Sequence, residues 1–98
     1  MNLTITGNRE TGFSGYATYD PESDPLLRPC PFCGGVGPEL ITLDSHAASY
    51  AIQCTFCLAR ITGRAFSDEA ITSTRSAYRY HRRAVTSAIA SWNRRTDG

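Results

Sequence analysis

The chain has 98 residues, 41% of them hydrophobic, with 10 Lys+Arg against 9 Asp+Glu, which bounds it to one small domain of near-neutral charge. No stretch approaches the roughly 18 consecutive apolar residues that a membrane span needs. The residues after Met1 lack the basic start and apolar core of a secretory leader, so a soluble protein of a reducing cytoplasm is expected. The halves differ in sign: residues 1–44 hold six acids and two arginines, −4, whereas residues 45–98 hold three acids and eight arginines, +5, with no lysine anywhere.

Residues 1–28 read as a partly flexible N-terminal arm. Leu3-Thr4-Ile5-Thr6 suits a short strand, but Gly7, Gly12, Gly15, Pro21 and Pro25 interrupt the residues after it. Phe13, Tyr16 and Tyr19 recur every third residue, which a purely solvated tail does not need; they are expected to pack over the next domain or to clip a partner.

Residues 29–64 carry the strongest motif. Cys30-Pro31-Phe32-Cys33-Gly34-Gly35 is answered by Cys54-Thr55-Phe56-Cys57, and these pairs use all four cysteines. Two such turns side by side complete a tetrahedron of thiolates, which suits one Zn²⁺ ion. Two disulfides and a rubredoxin-like iron are the competing readings; the reducing compartment disfavours the first. Four thiolates close the coordination shell, so the metal is expected to be structural. Gly34 can take positive φ after the first pair, whereas Leu58 stands at the matching position of the second, where a left-handed conformation costs roughly 1–2 kcal/mol. Between the pairs, Glu39 to Cys54 reads as a hairpin with Ile41 and Leu43 on one face, Tyr50 and Ile52 returning, and a turn at residues 44–49 containing His46 as a solvated histidine. Arg60-Ile61-Thr62 supplies a third strand. The expected fold class is therefore small α+β: a zinc ribbon, that is, a three-stranded antiparallel sheet on two CxxC knuckles, followed by a long C-terminal helix or helix pair.

The helical segment is placed at residues 67–95, with Ser67 as N-cap and Asp68 and Glu69 in the first turn. Ile71, Tyr78, Val85 and Trp92 recur at a spacing of seven with Ile89 beside them, an apolar stripe longer than a small ribbon can cover. The excess implies a break near Thr72-Ser73-Thr74 or docking on another molecule, a second copy included; the plain alternative is a helix packed within the chain with its arginines solvated. Arg75 and Arg82 lie about 40° and 20° from Ile71 and border the stripe. Arg79 and Arg83 lie further round, Tyr80 points out of the opposite side, and His81 is read as a helix-surface residue. Arg75, Arg79, Tyr80, Arg82 and Arg83 are the candidate contacts for a partner or for nucleic acid.

Arg28 to Gly35, the second CxxC after a hairpin, and Ala88-Ile89-Ala90-Ser91-Trp92-Asn93-Arg94-Arg95 together resemble the Lar family of phage and prophage restriction-alleviation proteins. The resemblance covers roughly residues 27–61 and 84–95. It implies a phage protein in the host bacterial cytoplasm that protects phage DNA from type I restriction, partly by promoting modification. By position, Cys30, Cys33, Cys54 and Cys57 match the family's metal cysteines, and Trp92, Asn93, Arg94 and Arg95 match its closing signature. Physically, Trp92 can plug the apolar face of the sheet, Asn93 can tie off the helix, and Arg94 and Arg95 suit the negative end of its dipole. Leu58, the acidic aromatic arm and the segment from Ser67 to Arg83 depart from the family pattern.

Three functions compete. The first is a counter-defence protein that acts by protein–protein interaction on a restriction-modification complex or another bacterial defence system, a CRISPR effector included. The second is a small nucleic-acid-binding regulator, opposed by the near-neutral charge. The third is an enzyme or redox carrier, for which His46 and His81 provide no nucleophile or carboxylate constellation. A non-enzymatic protein without a membrane association is expected.

Overall fold

The computed structural model describes residues 2–8, 10, 12–20, 22, 27–35, 37–45, 48–63 and 72–94. Five strands precede one helix: β1 Asn2–Thr6, β2 Ser14–Thr18, β3 Pro38–Asp44, β4 Ser49–Cys54, β5 Arg60–Thr62 and α1 Thr74–Asn93. The fold is small α+β, with two antiparallel sheets: a β1-β2 hairpin and a three-stranded β3-β4-β5 sheet. Helix α1 packs against strands of both.

The three-stranded sheet lies where the alternation of apolar residues predicts it, but β3 turns its other face inward. Leu40 pairs with Ile52 and packs against the core, whereas Ile41 pairs with Ala51 on the opposite face and Leu43 is exposed. With a period of two, a face is decided by one residue. The choice went to the face that stacks Leu40, Ile52 and Ile61 in one row across the sheet. His46 lies outside the described residues.

The N-terminal segment differs from the expected arm. Leu3 to Thr6 does form a strand, and its pairing with β2 gives a hairpin that rests on α1. Small residues make this possible: Gly15 and Ala17 are buried on β2, and Leu3 packs against the core from β1. The Gly15 N–H donates to the Ser45 carbonyl at 2.9 Å, joining the hairpin to the end of β3. Of the three spaced aromatics, Tyr19 packs on the core and its hydroxyl accepts from the Leu27 N–H at 3.1 Å, while Tyr16 is exposed.

Helix α1 begins at Thr74. Ser73 is its N-cap, accepting from the Ser76 N–H at 3.2 Å, and Ser76 Oγ accepts in return from the Ser73 N–H at 3.0 Å, so two orphan helix donors are satisfied reciprocally. The expected N-cap Ser67, the acids Asp68 and Glu69, and Ile71 lie outside the described residues. The buried face is Ala77, Tyr80, His81, Ala84, Val85, Ala88, Ile89 and Trp92, a repeat of three and four. Two expectations are thereby corrected: Tyr78 is exposed, and Tyr80, expected to point outward as a partner contact, is buried. The excess stripe also finds its cover in the chain itself, because β1 and β2 lie on the helix beside the three-stranded sheet. Val85 and Trp92, the residues on which pairing of two chains was expected, are fully buried within one chain.

His81 is the third correction. It is fully buried, and its Nδ1 lies 2.7 Å from the Tyr50 hydroxyl and its Nε2 3.3 Å from the Phe13 carbonyl. A carbonyl only accepts, so Nε2 carries the proton and Nδ1 accepts from Tyr50. A neutral ring thus ties the helix to β4 and to the loop before β2. Burial, partly opposed by the Phe13 carbonyl, lowers the imidazole pKa from 6.5, while burial pushes Tyr50 up to about 12. Below the unfolded value the unfolded chain takes up a proton that the folded chain refuses, so stability falls as pH drops from 6.5 through the folded value. Nitrogen-15 spectra of the folded protein at about pH 6.5, where a free imidazole is half protonated, should report His81 mainly neutral and protonated at Nε2. An imidazolium pattern there would contradict the arrangement.

Just after β5, Gly63 lies close against the helix, and its N–H donates to the Tyr50 carbonyl at 2.8 Å. A Cβ at Gly63 would lie 2.8 Å from the backbone and Cβ of Ala88, which cannot rotate away. Gly63→Ala should therefore cost about 1–3 kcal/mol in urea unfolding, typical of overpacking. An unchanged midpoint would show that the contact is loose.

Candidate metal centre and the arginine face

The two CxxC turns have the same hydrogen bonds. Cys30 N–H donates to the Gly35 carbonyl and Cys54 N–H to the Ala59 carbonyl, at 2.8 and 2.9 Å. Gly34 N–H donates to the Cys30 carbonyl at 2.9 Å, and Leu58 N–H to the Cys54 carbonyl at 3.2 Å. Phe32 and Phe56 N–H groups point at the Cys30 and Cys54 sulfurs, at 3.4 and 3.3 Å. Positive φ closes each turn, 75° at Gly34 and 63° at Leu58. Leucine thus adopts the left-handed conformation the motif demands, at the cost its side chain implies.

These turns bring the Sγ atoms of Cys30, Cys33, Cys54 and Cys57 within 4.8 Å of one another. Cys30 and Cys57 sulfurs are 3.6 Å apart, and those of Cys33 and Cys54 are 3.5 Å apart. Disulfide sulfurs would be about 2.05 Å apart, and a tetrahedron with metal–sulfur bonds of about 2.3 Å has edges of about 3.8 Å. The four cysteines are free thiols and fit a structural metal site. Cys30 and Cys54 are buried and join the apolar core; Cys33 and Cys57 face outward.

Electrostatics lead to the same place. The Cys57 N–H acts most strongly on Cys54 and, with the Phe56 N–H and neighbouring thiols, overcomes burial to hold its pKa at about 6. Cys57 moves oppositely, to about 12: the Ala59 N–H would lower it, but burial and the adjacent sulfurs of Cys33, Cys30 and Cys54 prevail. Sulfurs this close cannot all be anionic unless protons or a cation sit among them.

The closing signature acts on the first turn. Trp92, fully buried, donates its indole N–H to the Arg28 carbonyl at 2.8 Å. Asn93 Oδ1 accepts from the Arg28 N–H at 2.9 Å, and Arg28 Nη1 donates to the Asn93 carbonyl at 3.3 Å. The helix end thus grips the residue two positions before Cys30. Trp92 plugs the core as expected, whereas Asn93 binds across the chain. Arg28 was not legible as the partner, since nothing in sequence couples positions 64 residues apart. Arg94 is the exposed C-cap, its N–H donating to the Ala90 carbonyl at 2.9 Å; Arg95 lies outside the described residues.

Of the candidate contact residues, Arg75, Arg79, Arg82 and Arg83 share the exposed face of α1, and Tyr80 leaves the set because it is buried. Phe32 and Phe56, to which the sequence reading gave no contact role, and Leu58, read there only as a strained turn position, are 70%, 68% and 65% exposed around the cysteine cluster. Among the described residues no helix is long and apolar enough to cross a membrane. No family model matches the chain, and neither a curated protein nor a solved structure does.

Metal binding requires thiolates, so acid should weaken it. Between about pH 7 and about pH 5 the apparent affinity is expected to fall at least about tenfold per pH unit, as protons reclaim the sulfurs. Competition with a chromophoric chelator measures this, and a pH-independent affinity would remove the cluster from consideration as ligands.

Proposed function

We propose that the chain is a zinc ribbon of the Lar restriction-alleviation type, a non-enzymatic phage counter-defence protein that works in the host cytoplasm by contacting a component of a bacterial defence system. The observation that carries a binding role over a catalytic one is the closed set of four sulfurs. Cys30, Cys33, Cys54 and Cys57 would hold one Zn²⁺ ion and leave no position open for water or substrate, so the ion would supply folding energy alone. Zinc suits a tetrahedral thiolate site without any redox function.

Support for the family comes from the Arg28–Gly35 and Ala88–Arg95 motifs, whose described residues meet in space through Trp92, Asn93 and Arg28. Support for a protein contact comes from Phe32, Phe56 and Leu58. Large exposed apolar side chains of this kind anchor protein interfaces, and here a metal site would hold them rigid. A type I restriction complex is the target the resemblance favours; a CRISPR effector is the alternative.

Affinity capture from host lysate with the wild type and with a Phe32→Ser, Phe56→Ser variant tests this reading, with metal content confirming that the variant folds. The wild type should enrich a defence-complex subunit and the variant should lose it. Prey without any defence component, or identical prey from both proteins, would overturn the proposal.

A further inference from the structure

The outer face of α1 bears Arg75, Arg79, Arg82 and Arg83, all exposed. At 100° per residue they occupy about 100° of arc and about 12 Å of helix length, roughly opposite the buried face. The helix contains no aspartate or glutamate, and Arg75, Arg79 and Arg83 follow one another four apart. Like charges at that spacing repel one another along the helix.

Arg79, Arg82, Arg83, Thr86, Ser87 and Ala90 line an open groove of about 530 Å³ on this face. Most of its accessible lining is aliphatic, from the arginine stems, Thr86 and Ala90; its charged groups are guanidinium ions alone, which only donate hydrogen bonds, and the Thr86 and Ser87 hydroxyls can donate or accept. Ala90 is the sole apolar lining residue, so the groove lacks the aromatic or large aliphatic anchor that a protein partner would need. It also lacks the aromatic platform on which single-stranded bases stack. Arginine and hydroxyl side chains in a row are the groups that contact phosphate oxygens.

We propose that this face is a binding site for the sugar–phosphate backbone of duplex DNA, with Arg79, Arg82 and Arg83 as the central contacts and Arg75 extending the row by one turn. It contacts phosphates without reading base sequence. The acidic first half of the chain limits its affinity, so binding is weak at physiological salt and steeply dependent on it. The site is independent of the apolar tip around the cysteines. A defence protein held there and DNA held on α1 are separate events, and failure of the capture experiment leaves this inference standing.

Fluorescence anisotropy of a labelled mixed-sequence duplex with the zinc-loaded full chain tests it. Four phosphate contacts predict a slope of log K against log salt of about −3.6. The R79Q/R82Q/R83Q variant should bind at least about tenfold more weakly at low salt, with unchanged helicity and metal content. The single variant R75Q should reduce the slope by about one, and R60Q, on β5, should match the wild type. Absence of saturable binding at low salt, or wild-type binding by the triple variant, would overturn the proposal. So would tighter binding to single-stranded DNA, or to poly-glutamate, the latter assigning the groove to an acidic protein segment.

Discussion

Four sulfur atoms gathered within 4.8 Å are the constraint on which the rest of the molecule depends. As thiolates they repel one another, and the strands on either side of the second pair are short: β4, which ends at Cys54, has six residues and β5 three. A three-stranded sheet of this size has little apolar area of its own with which to hold charge together. A cation among the sulfurs would convert the repulsion into cohesion, with Cys30 and Cys54 serving as ligands as well as core residues. The N–H groups of Phe32 and Phe56 aimed at those two sulfurs further favour their ionised form.

Around that staple the packing is closed by small residues at close approaches. Gly63 lies against Ala88, and Gly15 leaves no room for a Cβ between Ile5 and the His81 ring. The neutral relay of Tyr50, His81 and the Phe13 carbonyl then ties together three segments that meet on this side of the helix. Its groups are hydrogen-bonded, so burying them is tolerable, and its geometry fixes how the first hairpin sits.

The cysteine pairs, the β3–β4 hairpin and the strand at Arg60 were readable because each is a local pattern with a local cause. Leu58 was readable as a strained position for the same reason. The helix was readable as a helix, but its inward face was misjudged. A spacing of seven selected Tyr78 along with Val85 and Trp92, whereas a globular core uses the three-and-four repeat that brings in Tyr80 and His81. Polar aromatic residues are ambiguous in a pattern of apolar and charged ones, and their burial is decided by partners such as Tyr50 and Phe13 far away in the chain. The N-terminal hairpin was obscured by glycines that looked like linker residues and are, at Gly15, contact residues. As for the site, the cysteines stand together, Tyr80 is excluded, and the arginines keep the exposed face of a helix that carries no acid.

The grip of Trp92 and Asn93 on Arg28 orders events during synthesis. When Cys57 leaves the ribosome, all four sulfurs are available, yet the segment leading into the first of them has nothing to lie against. The β1–β2 hairpin is in the same position, since the helix that supports it is made after all the strands. The final turn of α1 is therefore a latch that closes only after every strand has been made, and a chain cut before α1 would keep its cysteines while leaving the β1–β2 hairpin without its support.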